Sequence, residues 1–177
     1  KAHTRTLSSA ARIQLSSSEI DLYSGDQKTL SASATRSEMD ASGIVWESSD
    51  TSVAAVNGSG VVTAKNPGTA TITCYGKNAR GIRAACKVTV KLRQTTGVKL
   101  VSGAFNRIRI SWKVVPGCNR YDIYRWDESG NSKKMATVAA DVVTWQDTAV
   151  KTGSTYTYRI RASYVRSGKN TVYGAAS

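Results

Sequence analysis

Apolar residues in this chain recur at every second position, and this alternation limits the possible folds. Ile72 and Cys74 alternate with threonines, Val88 and Val90 alternate with lysine and threonine, and similar runs follow later in the chain. Side chains two positions apart lie on one face of a β-strand. No segment keeps the i, i+3, i+4, i+7 spacing of an amphipathic helix over three turns. Because turn-forming residues separate the runs at intervals of about 8 to 12 residues, the sequence predicts an all-β fold of the sandwich type.

A change of pattern after Lys91 divides the chain into two halves. The strand that includes Val88 and Val90 gives way to a polar stretch before a new apolar run begins at Val98. The halves differ in charge, since residues 1–91 carry 11 basic and 7 acidic side chains whereas residues 92–177 carry 14 and 5. We predict a leader at 1–10, a first domain at 11–91, a linker at 92–95 and a second, more basic domain at 96–177.

Composition argues against catalysis and metal binding. The single histidine, His3, lies in the predicted leader, whereas catalytic triads and most zinc sites need a histidine held in the fold. No spacing matches a zinc or calcium motif. We therefore expect no catalytic residues, no metal and no cofactor. No run approaches the ~18 consecutive apolar residues of a membrane helix, so we also expect no membrane span.

The first half carries the motifs of a known family. Its landmarks are Trp46 within Ile-Val-Trp-Glu-Ser-Ser-Asp, the pair Asn57-Gly58, and Pro67-Gly68 ahead of the next alternating run. Trp46 is a large apolar anchor for a core, and the two pairs are turn formers. Over residues 11–91 the chain resembles the bacterial Ig-like group 2 domain. The resemblance implies a sandwich carried in tandem by secreted and surface-displayed bacterial proteins, such as adhesins, and by some extracellular enzymes.

The second half resembles a fibronectin type III module. The residues that carry this resemblance are Trp112 in Ile-Ser-Trp, the run Tyr-Asp-Ile-Tyr-Arg beginning at Tyr121, and Tyr156-Thr-Tyr-Arg-Ile-Arg-Ala. Tyr156 occupies the place of the family's corner tyrosine. The last strand of the second half is similar to the last strand of fibronectin type III modules from Gram-positive bacteria. Alternation places Trp112 and Tyr158 in the core. The two resemblances together imply two tandem Ig-like β-sandwiches. The chain has no Arg-Gly-Asp motif, so binding to integrins by that motif is not implied.

Two of the three cysteines lie on consecutive predicted strands. Cys74 and Cys86 flank a segment rich in glycine and asparagine that is typical of a hairpin loop. Across such a hairpin they would form a disulfide, which fits an extracellular location; the alternative is that both are buried as small apolar residues. Cys118 has no histidine or second cysteine to activate it, so we expect a half-buried free thiol.

The best candidate for a binding site is the outward face of a sheet in the second domain. Alternation places Asp122, Tyr124 and Trp126 on the side opposite the core, and it places Arg159 and Arg161 outward on a strand that we expect to be adjacent. Aromatic residues and arginine are common at binding hot spots and in contacts with sugars and acidic groups. The alternative is a solvated face that uses cross-strand aromatic and cation–π pairs for its own stability.

We expect a non-catalytic extracellular module of a bacterial surface or secreted protein that mediates adhesion by binding a host protein or glycan. A bacterial cell-wall polymer is a further possible ligand, because the net charge of +13 attracts anionic polymers. The charges are dispersed and no nucleic-acid motif is present, so specific binding to nucleic acid is not expected. The alternatives are a spacer that displays neighbouring domains of a longer chain, and an accessory module of a secreted carbohydrate-active or cell-wall enzyme.

Overall fold

The computed structural model describes residues 11–35, 43–103, 106–167 and 171–177. The predicted leader, with His3, lies outside the described residues. None of the described residues is helical, so the all-β prediction is confirmed. The chain divides into two compact units, of which the second comprises Val90–Ser177 together with the short segments Tyr23–Gly25 and Lys65–Gly68. The strands are β1 Ile13–Leu15, β2 Glu19–Tyr23, β3 Gln27–Thr29, β4 Ala32–Ala34, β5 Ile44–Ser48, β6 Ala54–Val56, β7 Val61–Ala64, β8 Gly68–Gly76, β9 Ala79–Lys91, β10 Lys99–Ser102, β11 Ile108–Ser111, β12 Arg120–Trp126, β13 Ser132–Ala139, β14 Thr144–Asp147, β15 Thr157–Tyr164 and β16 Val172–Tyr173.

The first unit is a sandwich of short antiparallel strands. One sheet has the order β2-β9-β8-β5, a second has the order β3-β7-β6, and β1 pairs with β4. The alternating residues Ile72 and Val88 of the first sheet and Val62 of the second are fully buried. Alternation therefore identified the core-facing positions correctly, because successive side chains of a strand point to opposite faces.

Trp46 is half-buried on β5. It packs against a small cluster around Ile13 and Cys74, and its ring also lies beside Gly60. The loop predicted from Asn57 and Gly58 is present between β6 and β7. Its left-handed residue is Gly60, with φ of 77°, and not Gly58.

The predicted disulfide is wrong for this structure, since Cys74 and Cys86 are both free thiols. The hairpin between β8 and β9 is much longer than the sequence indicated, with only Lys77 and Asn78 in its turn. Cys74 lies close to the end of β8, whereas Cys86 lies deep within β9. The Cys74 thiol instead makes a hydrogen bond to the backbone of Ala84, on β9. Both cysteines act as small apolar residues, and burial raises the pKa of each thiol.

The second unit has two sheets, with the strand orders β10-β11-β14 and β13-β12-β15-β16. Trp112 packs edge-to-face on Tyr121 with ring centroids 5.4 Å apart, and both rings are buried. The backbone N–H of Val115 donates to the Tyr121 hydroxyl at 2.8 Å, so the buried phenol has a partner. Cys118 packs against the same core and is a half-buried free thiol, as predicted.

Part of the segment that we predicted as a linker is buried in the second unit. Leu92 belongs to its core, and the Thr95 hydroxyl accepts a hydrogen bond from the Ala162 backbone N–H at 3.2 Å. Thr95 is 1% exposed. The second unit therefore needs residues that precede the predicted start of its domain at residue 96. The domain limits that we predicted remain predictions.

Tyr156 plays the part expected of a corner tyrosine. Its hydroxyl accepts a hydrogen bond from the Lys151 backbone N–H at 3.1 Å, and the Arg125 guanidinium lies 4.8 Å from the centre of its ring. A tyrosine that bonds backbone a few residues upstream holds the turn before its strand. This contact fixes the start of β15, the strand that carries the two arginines of the predicted face.

Candidate functional site

Strand pairing in the second unit brings the predicted site residues together. β12 lies antiparallel to β15, with Tyr124 opposite Arg159 and Asp122 opposite Arg161. Directly opposed residues of an antiparallel pair project from the same face of the sheet. All five residues that the sequence singled out, Trp126 included, thus lie on one side of the sheet β13-β12-β15-β16. We call this surface the aromatic–arginine face.

At one end of the face, Arg159 stacks on Trp126. The guanidinium carbon lies 5.0 Å from the centre of the indole, within the range of a cation–π interaction. Tyr124 lies next to Trp126 with ring centroids 6.2 Å apart and planes tilted by 43°. Both aromatic side chains are half-buried, whereas Arg159 is exposed. Stacking therefore holds the guanidinium in place while its N–H groups remain accessible.

At the other end of the face, Arg161 stacks on Tyr173 with its guanidinium carbon 4.2 Å from the ring centre. Its Nε also donates to the Gly174 backbone oxygen at 3.0 Å. Tyr173 is 44% exposed and extends the face onto β16. The sequence analysis missed Tyr173 because a strand of two residues shows too little alternation to indicate which side it presents.

Asp122 does not contribute an exposed carboxylate, contrary to the sequence prediction. It lies on the expected side of β12 but is only 3% exposed. Lys134 Nζ lies 2.6 Å from its Oδ1, and the Thr137 hydroxyl donates to the same oxygen at 2.6 Å. Both partners come from β13, which crosses beside Asp122. The hydrogen bond to Asp122 raises the pKa of Lys134, so the pair is a fixed ion pair that holds the lysine on the face.

The resulting face is strongly positive. By strand register, Arg120 and Lys134 lie on the same side as Arg159 and Arg161. Asp122 is the only acidic residue among the outward positions of these four strands in the described part of the chain, and Lys134 already neutralises it. An anionic group that approaches this face therefore meets uncompensated positive charge.

Two further kinds of feature, a metal site and a membrane-spanning helix, are absent from the described residues. Within them, no group of three or more His, Cys, Asp or Glu side chains is arranged to hold a metal ion. The same part of the chain contains no helix long and apolar enough to cross a membrane.

Comparison with known proteins shows that the first half of the chain is similar to a known family. Residues 9–88 match the model of the bacterial Ig-like domain (group 2) family. An uncharacterized protein from Clostridium acetobutylicum is 36% identical over 81 residues, which are 46% of this chain and 8% of that protein. The chain thus spans less than a tenth of the length of this relative.

Solved structures similar to this chain include fibronectin type III domains. A two-domain fibronectin type III segment of chicken tenascin covers 93% of this chain and 97% of its own length, with 11% identity and a TM-score of 0.53. A Fn3-like protein from Clostridium thermocellum is 27% identical, covers 46% of this chain and 84% of its own length, and has a TM-score of 0.35.

Bacterial Ig-like domains are generally non-catalytic modules of multidomain proteins. Bacterial Ig-like domains of group 2 are typically found in extracellular proteins of bacteria.

Proposed function

Because residues 9–88 match the bacterial Ig-like domain (group 2) family and a second Ig-like sandwich follows, we propose that the chain is a non-catalytic binding module of an extracellular bacterial protein. In this proposal the second sandwich makes the contact, through the aromatic–arginine face. The ligand is an extracellular host protein, a glycan or a cell-wall polymer, and the module mediates adhesion of the protein that carries it.

A single observation carries this proposal, namely that Tyr124, Trp126, Arg159 and Arg161 share one exposed side of a sheet. Aromatic rings offer apolar area at a low cost in conformational entropy, and arginine offers directional donors. A sheet of four paired strands is a rigid support for such groups. The face therefore combines the residue types of a recognition surface with a fixed geometry.

One observation favours a second function, that of a structural spacer. Each arginine of the face already stacks on an aromatic neighbour, so these pairs also stabilise the sheet without any ligand. In the spacer function, the chain displays neighbouring domains of a longer protein. A role as accessory module of a secreted carbohydrate-active or cell-wall enzyme would still use the face for binding.

The two functions are separated by a binding screen of the purified chain against host extracellular proteins, glycans and cell-wall polymers at physiological salt. The test variant is the double substitution Trp126→Ala and Arg159→Ala. The control is Arg109→Ala, which removes one exposed charge from β11 of the other sheet of the same unit. Circular dichroism would verify that each variant is folded.

A ligand that is lost in the double variant and retained in the control supports the proposed function. A ligand retained by both variants would move the binding site away from the face. If the chain binds nothing in the panel, or if added salt abolishes every signal equally in all variants, the spacer function replaces the proposal.

A further inference from the structure

Resting on the proposed function, we infer that the ligand of the aromatic–arginine face is a carboxylated polysaccharide, a chain of sugar rings that carry carboxylate groups. The inference rests on three features of the face: its uncompensated positive charge, its interleaved aromatic rings, and the free edges of its stacked guanidinium groups.

The positive charge of the face predicts that its ligand is an anion. The face holds Arg120, Arg159 and Arg161 on outward positions of adjacent strands, and its one carboxylate, that of Asp122, is neutralised by Lys134. Since neighbouring strands lie about 4.8 Å apart, the face extends ~14 Å across its four strands. This width accommodates several units of a linear polymer, so a repeating anion fits the face better than a single small anion does.

The stacked arginines indicate carboxylate as the anionic group. The Nε–H of Arg161 donates a hydrogen bond to the Gly174 oxygen. The N–H groups of its two terminal nitrogens are therefore left to bind a ligand. Arg159 makes no hydrogen bond to another side chain or backbone group within the described residues. The guanidinium edge that is left free by the ring contact offers parallel N–H donors, and these match both oxygens of a carboxylate. Arg159 and Arg161 are two positions apart on β15, but Arg159 lies over Trp126 of β12 and Arg161 lies over Tyr173 of β16, so they would bind carboxylates on separate sugar units of one chain.

The aromatic rings indicate sugar as the repeating unit. Tyr124 and Trp126 lie between Lys134 on one side and the two arginines on the other. Ring faces of this kind pack against the apolar C–H faces of sugars. An acidic protein ligand would instead require a buried apolar anchor at the centre of the interface. The exposed aliphatic residues of this unit, Leu100, Val101 and Val114, lie outside the four strands of the face.

The inference is tested by binding of the full chain to polygalacturonate, with dextran as neutral polysaccharide and heparin as sulfated polysaccharide. Poly-L-glutamate supplies carboxylates without sugar rings, and a single-stranded oligonucleotide supplies phosphates. The variants are Arg159→Lys and Arg161→Lys, which keep the charge but lose the planar fork. The matched control is Arg109→Lys on β11.

We expect polygalacturonate to bind more tightly than any other probe. We expect Arg159→Lys and Arg161→Lys each to weaken its binding about tenfold, and the control to leave it unchanged. Equal binding to poly-L-glutamate or to the oligonucleotide would overturn the inference, as would a preference for heparin, or equal loss in the control and the face variants.

Failure of this inference differs from failure of the proposed function. Suppose that the chain binds dextran or a protein, and that the double substitution of Trp126 and Arg159 abolishes this binding. The proposed function then stands, because the face binds a ligand, and the assignment of a carboxylated polysaccharide is refuted. If the double variant abolishes no interaction of the chain, both fall.

Discussion

Asp147 is a buried charge of the second unit with several hydrogen-bond partners, none of which alternation along the strands could indicate. Its carboxylate is 1% exposed and accepts hydrogen bonds from the Tyr158 hydroxyl at 2.8 Å, from Arg125 at 2.9 Å and from the Ala149 backbone N–H at 2.9 Å. Arg125 also donates to the Ala149 oxygen. Burying a charge is costly unless it is paired and hydrogen-bonded, so this network tolerates no missing member.

We expect Asp147→Asn to lower the free energy of unfolding by about 3 kcal/mol, because the amide leaves the half-buried guanidinium of Arg125 without its counter-charge. Denaturation with urea would measure the loss. The control is Asp141→Asn at an exposed turn position, where we expect a change within about 0.5 kcal/mol. Equal effects of the two substitutions would show that the network contributes no stability.

Two buried tyrosines make the stability of the second unit depend on pH in the alkaline range. Burial is the main cause that raises the pKa of Tyr121 to about 12. Burial and the hydrogen bond to Asp147 raise the pKa of Tyr158 still further. In the unfolded chain, tyrosine ionises near pH ~10. The folded state therefore holds these protons more tightly than the unfolded state does.

The direction of the pH dependence follows from this difference. We expect stability to be unaffected by these tyrosines below pH ~10, and to fall as the pH rises from there through the folded pKa of Tyr121 at about 12. Urea denaturation at a series of alkaline pH values would measure it. Tyr158→Phe should flatten the decline, because its tyrosine no longer ionises on unfolding. Unchanged stability well above pH ~10 would contradict the prediction.

The loop between β6 and β7 shows how an element depends on a single glycine. Asn57 closes the loop, since its side-chain oxygen accepts hydrogen bonds from the backbone N–H groups of Ser59 and Val61 at 3.0 and 2.9 Å. Gly60 follows with a positive φ of 77°. A Cβ at Gly60 would lie 2.3 Å from the Leu30 carbonyl oxygen and 2.8 Å from the Trp46 ring. No side chain fits there without displacing the backbone.

We expect Gly60→Ala to destabilise the first unit by about 2 kcal/mol or more, because it adds both backbone strain and a steric clash. Gly58→Ala is the matched control, since a Cβ at Gly58 meets nothing within 4 Å and its φ is not positive. The control should change stability by about 0.5 kcal/mol or less. Thermal denaturation of both variants would compare them, and equal melting temperatures would refute the role of Gly60.

The chain as a whole consists of two units that each bury their own apolar residues. Leu92 and Thr95 belong to the second unit, as shown by the place of Leu92 in its core and the hydrogen bond from Ala162 to Thr95. The basic charge is also concentrated in the second half, which carries the aromatic–arginine face. On this basis we propose that residues 90–177 suffice for a folded and functional second sandwich, without the short segments Tyr23–Gly25 and Lys65–Gly68 that also belong to the second unit.

This proposal predicts a difference between two fragments. We expect residues 90–177 to fold cooperatively when expressed alone. We expect a fragment of residues 96–177 to be about 3 kcal/mol less stable, because it lacks the buried Leu92 side chain and leaves the Ala162 N–H without its partner. Urea denaturation followed by tryptophan fluorescence would measure both. Equal stability would place the domain boundary at residue 96, as the sequence predicted.

Much of this structure follows from the sequence because side-chain direction in a strand is a local property. Tyr121 and Ile123 point into the core and Tyr124 and Trp126 point out, since each residue faces the side opposite its neighbours. The same alternation predicted the all-β fold and assigned the residues of the candidate face to its outward side.

Pairing between distant strands is not a local property, and here the sequence was insufficient. A bulge between Ile123 and Tyr124 shifts β13 so that Lys134 faces Tyr124 and reaches Asp122, which closes off a carboxylate that alternation had left exposed. Register depends on turn length and bulges, and on which strands become neighbours. A shift of a single residue changes every partner, so the contacts of the face exist only once the whole sheet has formed.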